Sequence, residues 1–119
     1  MSPSPARARS AKIQNRAAKI GFDWERADQV VDKVREELEE LDLALAGEGD
    51  IEDELGDVIF SLVNLSRHVG VDPELALSRA TDLFESRFRL MEEDGPLEGL
   101  DLEQLNQRWE RAKQVSPGS

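Results

Sequence analysis

Lys33 to Leu41 reads KVREELEEL and Asp50 to Asn64 reads DIEDELGDVIFSLVN, with the glycine-containing connection Gly47-Glu48-Gly49 between them. At about 100° per residue, the first stretch and its flanks place Ala27, Val30, Val31, Val34, Leu38, Leu41 and Leu45 on one face, the spacing of a core-facing helix. On that wheel Glu37 falls at the edge of the apolar face. Lys33 and Glu40 lie further round and Glu36 furthest out. The second stretch gathers Ile51, Leu55, Val58, Ile59, Leu62, Leu65 and Val69, and one shoulder of that face carries Asp50, Glu54, Asp57, Ser61, Asn64 and His68. A short loop favours antiparallel packing. The expected unit is therefore a helical hairpin whose acidic shoulders meet where core gives way to water.

Carboxylates arranged in this way repel, on one helix at four-residue spacing and more strongly across a desolvated gap. A hard divalent cation relieves the repulsion, and oxygen ligands are what Mg²⁺ takes. Glutamate runs on helices also occur simply as solvated faces, and spacing alone leaves both readings open.

Glu36-Glu37-x-x-Glu40 followed by Glu54-x-x-Asp57 resembles the EExxE…ExxD signature of the MazG-type, all-α nucleoside triphosphate pyrophosphohydrolases. Lys33-Val34, Gly56-Asp57, Val63-Asn64, Ser86-Arg87-Phe88-Arg89 and Trp109 to Lys113 are similar to that family too, so the likeness runs from about Ala11 to Val115. The resemblance implies an all-α fold, a four-helix bundle built from such hairpins by homo-oligomerisation, as a homodimer or a dimer of dimers, with an extra C-terminal helix. It implies Mg²⁺-dependent cleavage of a nucleoside triphosphate to the monophosphate and pyrophosphate, with Mn²⁺ as a possible substitute and nucleotide-pool sanitation as the role. Glu37, Glu40, Glu54 and Asp57 are the implied metal ligands. Glu36 is placed behind them or as the acceptor of the water's proton, and Lys33, Asn64, Arg87, Trp109 and Lys113 as nucleotide contacts. The family pattern often has a lysine before ExxD and another ahead of the arginine, where this chain has Asp50 and Leu83. The phosphate grip is accordingly expected to differ. Phosphoribosyl-ATP and dUTP/dCTP pyrophosphohydrolases share the acidic helices and are alternative activities, and a non-catalytic acidic interaction module is a third. A di-iron bundle needs Glu-x-x-His pairs, and Leu65 stands three residues before His68, which is the lone histidine and reads as structural.

The chain has 119 residues, room for one domain. A net charge of −11 repels nucleic acid and anionic membranes. The absence of cysteine removes disulfides and thiolate metal sites. No apolar run suits a leader or a membrane span, and the cytoplasm is the default location.

The remaining chain reads as helices with local punctuation. Residues 1–10, MSPSPARARS, are expected to be a disordered tail, as are residues 116–119, with the domain between them at 11–115. A short helix is expected from Ala11 to Ile20, closed by Gly21, and Asp23 is the expected N-cap of the first acidic helix, with Trp24 anchoring its start. Asp50 caps the second, which Gly70 closes; Pro73 opens the next. That helix has Leu77, Ala80, Phe84, Phe88 and Met91 on its core face with Arg87 beside them. Asp101 with Gln104 caps the last helix, whose apolar face is Leu102, Leu105, Trp109 and Ala112.

Overall fold

The computed structural model describes residues 5–116, which hold five α-helices and no strand. The chain falls into two compact units, Met1–Glu74 and Leu75–Ser119. The first contains α1 (Ala6–Lys19), α2 (Ala27–Leu45) and α3 (Ile51–His68); α4 (Pro73–Glu93) begins at its end and, with α5 (Leu102–Val115), makes the second. No described helix is long and apolar enough to cross a membrane.

The expected hairpin is present. α2 and α3 pack closely on one another, with Val30, Ala44, Val58 and Val63 buried. Gly47 sits in the linking turn at φ +96°, where a side chain would be strained. Asp50 caps α3 by accepting from the Asp53 N–H at 2.9 Å. At the far end Gly70, at φ +71°, lets the Val71 N–H reach back to the Ser66 carbonyl at 2.9 Å.

Two helix starts differ from the sequence reading. α1 begins at Ala6 rather than Ala11. Its first turn is tied by an Arg7–Glu74 ion pair, one arm of which is 2.9 Å, so the expected tail holds structure from Ala6; residues 1–4 and 117–119 lie outside the described residues. α2 begins at Ala27, not behind Asp23. The Gln29 side chain accepts from the Arg26 and Glu25 N–H groups at 3.1 and 3.0 Å, supplying the cap that Asp23 was expected to provide.

In the second unit Met91 and Ala112 are buried, and the Phe84 ring lies 5.3 Å from the Trp109 ring. The Arg108 guanidinium donates to the Met91 and Gly95 carbonyls at 3.0 and 2.9 Å, satisfying the end of α4. The expected capping box of α5 is formed: the Gln104 N–H donates to Asp101 at 2.8 Å and the Asp101 N–H to Gln104 at 3.0 Å.

The apolar stripes are less covered than a core-facing reading implies. Leu38, Leu55, Ile59 and Leu62 of the hairpin remain 45%, 47%, 47% and 45% exposed, and Leu77, Phe84 and Phe88 of α4 are exposed as well.

Candidate metal and nucleotide site

α2 contributes Glu37 and α3 contributes Glu54 and Asp57, one turn apart, and each places a carboxylate oxygen within 4.8 Å of the others. Helical geometry explains the convergence: residues three apart share a face, and the antiparallel hairpin sets that face against Glu37. Glu37 is 8% exposed, which a carboxylate tolerates only with partners. Lys33, one turn earlier, provides one at 2.9 Å and also reaches Glu36 at 3.4 Å. The Glu37 hydrogen bond is the main cause that raises the Lys33 pKa.

Glu54 carries the electrostatic mark of the cluster. Its pKa is raised, first by desolvation and then by Asp57, Glu40, Glu37 and Asp53. Glu40 therefore lies near enough to act on Glu54, yet it is exposed and outside the trio whose oxygens converge. Glu36 is exposed and turned to Lys33, as its wheel position suggests. Three all-oxygen donors, one on each side chain, suit Mg²⁺, which typically draws one or two carboxylates from the protein and completes its octahedron with water and phosphate.

Asn64 sits two turns beyond Asp57, at the wall of a cavity of about 470 Å³ between α1, the α1–α2 loop and α3. Its Oδ1 accepts from Arg67 at 2.8 Å, which leaves the amide N–H groups of Asn64 as the donors it can offer. The same Arg67 nitrogen donates to Asp23 at 2.5 Å, and His68 Nε2 lies 2.9 Å from that carboxylate. The Arg67 bond pulls the Asp23 pKa down to about 2; partial burial opposes this, while His68 and the Trp24 N–H reinforce it. Local spacing offers no partner for His68, because Asp23 is 45 residues away.

Arg87, Trp109 and Lys113 belong to the second unit. Arg87 is 7% exposed and donates from Nε and Nη2 to the Ser116 carbonyl, both at 3.2 Å, with its guanidinium 5.6 Å from the centre of the Trp109 ring. Lys113 is half-exposed, 3.8 Å from Glu110.

The family model for phosphoribosyl-ATP pyrophosphohydrolase matches residues 9–81, which contain both acidic helices. The chain belongs to this family. It is 46% identical over 114 residues to the nucleoside triphosphate pyrophosphohydrolase/pyrophosphatase MazG of Thermotoga maritima, and 42% identical over 118 residues to the nucleoside triphosphate pyrophosphohydrolase of Escherichia coli K12. Each match takes in 92% of this chain but 44% and 45% of the relative, so the chain spans less than half the length of these relatives. An uncharacterized protein of Bacillus subtilis, YabN, is 37% identical over 73 residues, 57% of this chain and 15% of its own length. The MazG proteins are those whose acidic signature the sequence resembles, and the likeness to them takes in 92% of this chain.

Proposed function

We propose that the chain hydrolyses nucleoside triphosphates to the monophosphate and pyrophosphate in a Mg²⁺-dependent reaction. The observation that carries this is the convergence of Glu37, Glu54 and Asp57 across the hairpin, in a member of a pyrophosphohydrolase family. A bound Mg²⁺ supplies charge neutralisation on the phosphates and a water of lowered pKa. The protein's share is positioning. Glu37, Glu54 and Asp57 would hold the cation, with the exposed Glu40 as a further ligand. Lys33, which pairs with Glu37 at 2.9 Å, would contact a phosphate. Glu36, solvated beside Lys33, is placed to accept a proton from water.

Asn64 presents amide donors to the nucleotide, while Arg87, Trp109 and Lys113 hold its outer parts. Their support is the likeness to the MazG proteins, which takes in 92% of this chain. Trimming to a different phosphorylated ribose or a pyrimidine deoxynucleotide remains open to the same acidic cluster. The exposed leucines and isoleucine of α2 and α3 support a second copy of the chain as the cover of that face, completing a four-helix bundle.

The test is to incubate the protein with a panel of ribo- and deoxynucleoside triphosphates, with and without Mg²⁺, and to measure pyrophosphate and monophosphate together. Equal release of both, lost with chelator, is the expected result. Orthophosphate in place of pyrophosphate, or no release from any nucleotide, would contradict it.

A further inference from the structure

Glu54, Asp57, Ser61 and Asn64 follow one another on α3 at three- and four-residue steps, so they share one stripe of the helix. Asn64 stands two turns past Asp57, roughly 10 Å of helix rise. A side chain at that distance can meet a nucleotide whose phosphates sit at the Glu37, Glu54 and Asp57 carboxylates.

What Asn64 offers there depends on which way its amide is turned. An amide has an acceptor on one arm and donors on the other, and the two arms are nearly equal in size, so shape alone does not choose between them. Arg67 makes the choice, because a guanidinium only donates. Its Nη2 carries two hydrogens and spends one on Asn64 Oδ1, at 2.8 Å, and the other on Asp23 Oδ1. The Asp23 oxygen is itself held in place. The Trp24 N–H donates to it at 2.8 Å, and His68 Nε2 lies 2.9 Å from it. The Arg67 and His68 side chains are 17% and 12% exposed, so water competes little for these bonds. The depressed Asp23 pKa, about 2, keeps the carboxylate charged at neutral pH and the hold on Arg67 in force.

We propose that Arg67, anchored by Asp23, is a positioning residue for hydrolysis: it fixes the Asn64 amide so that the N–H groups are the arm offered to an oxygen of the bound nucleotide. The assignment rests on the function proposed above. Arg67 acts through Asn64 and touches no substrate itself. Without it the amide can turn over, and the turned amide sets an acceptor against an acceptor. A purely structural ion pair would tie the α1–α2 loop to α3 equally well, but it would owe nothing to the side chain at position 64.

A double-mutant cycle separates the two. The experiment measures kcat/KM for the best nucleotide with Mg²⁺ in wild type, Arg67→Met, Asn64→Ala and the double variant, each corrected for its folded fraction by circular dichroism. Each single variant is expected to lose about tenfold, the effect of one hydrogen bond. The double variant is expected to match Asn64→Ala, since nothing is left to position. A double loss equal to the product of the singles, about a hundredfold, overturns the proposal and leaves the pyrophosphohydrolase reading standing. An unchanged kcat/KM in either single variant does the same. Should Arg67→Met fail to fold, Asp23→Asn takes its place in the cycle: a loss beside Asn64 and none beside Asn64→Ala supports the proposal, and an equal loss in both overturns it. A wild type that hydrolyses no nucleotide ends the proposed function and this assignment together.

Discussion

The two ends of α3 handle charge in opposite ways. Near its N-terminus Glu54 and Asp57 meet Glu37 from α2, like against like, and Glu54 holds its proton more tightly than an ordinary glutamate. Near its C-terminus Arg67 and His68 meet Asp23, opposite against opposite, and Asp23 gives up its proton more readily than an ordinary aspartate. A helix that only needed to fold would use the second arrangement throughout. The first costs stability, which a cation held between the carboxylates would offset; the second fixes the α1–α2 loop and the Asn64 amide against α3.

The contrast is broken most severely by removing a convergent carboxylate. Asp57→Asn or Glu37→Gln is expected to lower metal-dependent pyrophosphate release by ~100-fold or more, since even the outer partners of metal ligands cost 10–100-fold. Steady-state kinetics at saturating Mg²⁺ measures it. At the other end, Asp23→Asn should cost about 1 kcal/mol of stability at neutral pH, because solvent screens the exposed Asp23 and discounts the linkage value of its depressed pKa. Because the folded pKa is depressed, this contribution is complete above the ordinary carboxylate range and is lost as pH falls towards 2. Denaturant melts of wild type and variant should therefore converge only as pH approaches about 2.

Much of this layout was legible in the sequence, and the failures have one cause. Asp50, Gly70 and the Asp101–Gln104 pair act on backbone groups within three or four residues, so local spacing identified them. The hairpin needed only a short loop and two apolar faces, and it brought Glu37, Glu54 and Asp57 together as expected. The signature groups Glu40 with them, and Glu40 is exposed yet near enough to raise the Glu54 pKa. Asp23 was read as a helix cap because the capping rule is local, whereas its partners Arg67 and His68 lie 44 and 45 residues on. The start of α1 is hidden for the same reason: Pro and Ser suggest a tail, and Glu74, which anchors Arg7, is 67 residues away. The cavity was invisible because its lining comes from α1, the following loop and α3 at once.

Two smaller effects sharpen the comparison. Mg²⁺ at ten times its dissociation constant should stabilise the wild type by about 1.4 kcal/mol, a rise in Tm of roughly 5 °C or more for a domain of this size. The same addition should leave Asp57→Asn unmoved. Glu54→Gln should raise the Tm of the metal-free protein slightly and abolish the Mg²⁺ response, because it removes both the repulsion and a ligand. The sign follows from the raised pKa: ionised Glu54 opposes folding, so the metal-free wild type loses stability as pH rises through its titration, and the variant does not.

The central claim is tested most directly by titrating Mn²⁺ into the protein and following the free-ion signal by electron paramagnetic resonance. Saturable loss of signal in the wild type, absent in Glu37→Gln and Asp57→Asn, is the predicted result. Equal uptake by all three proteins, or none by the wild type even with a nucleoside triphosphate present, would contradict it.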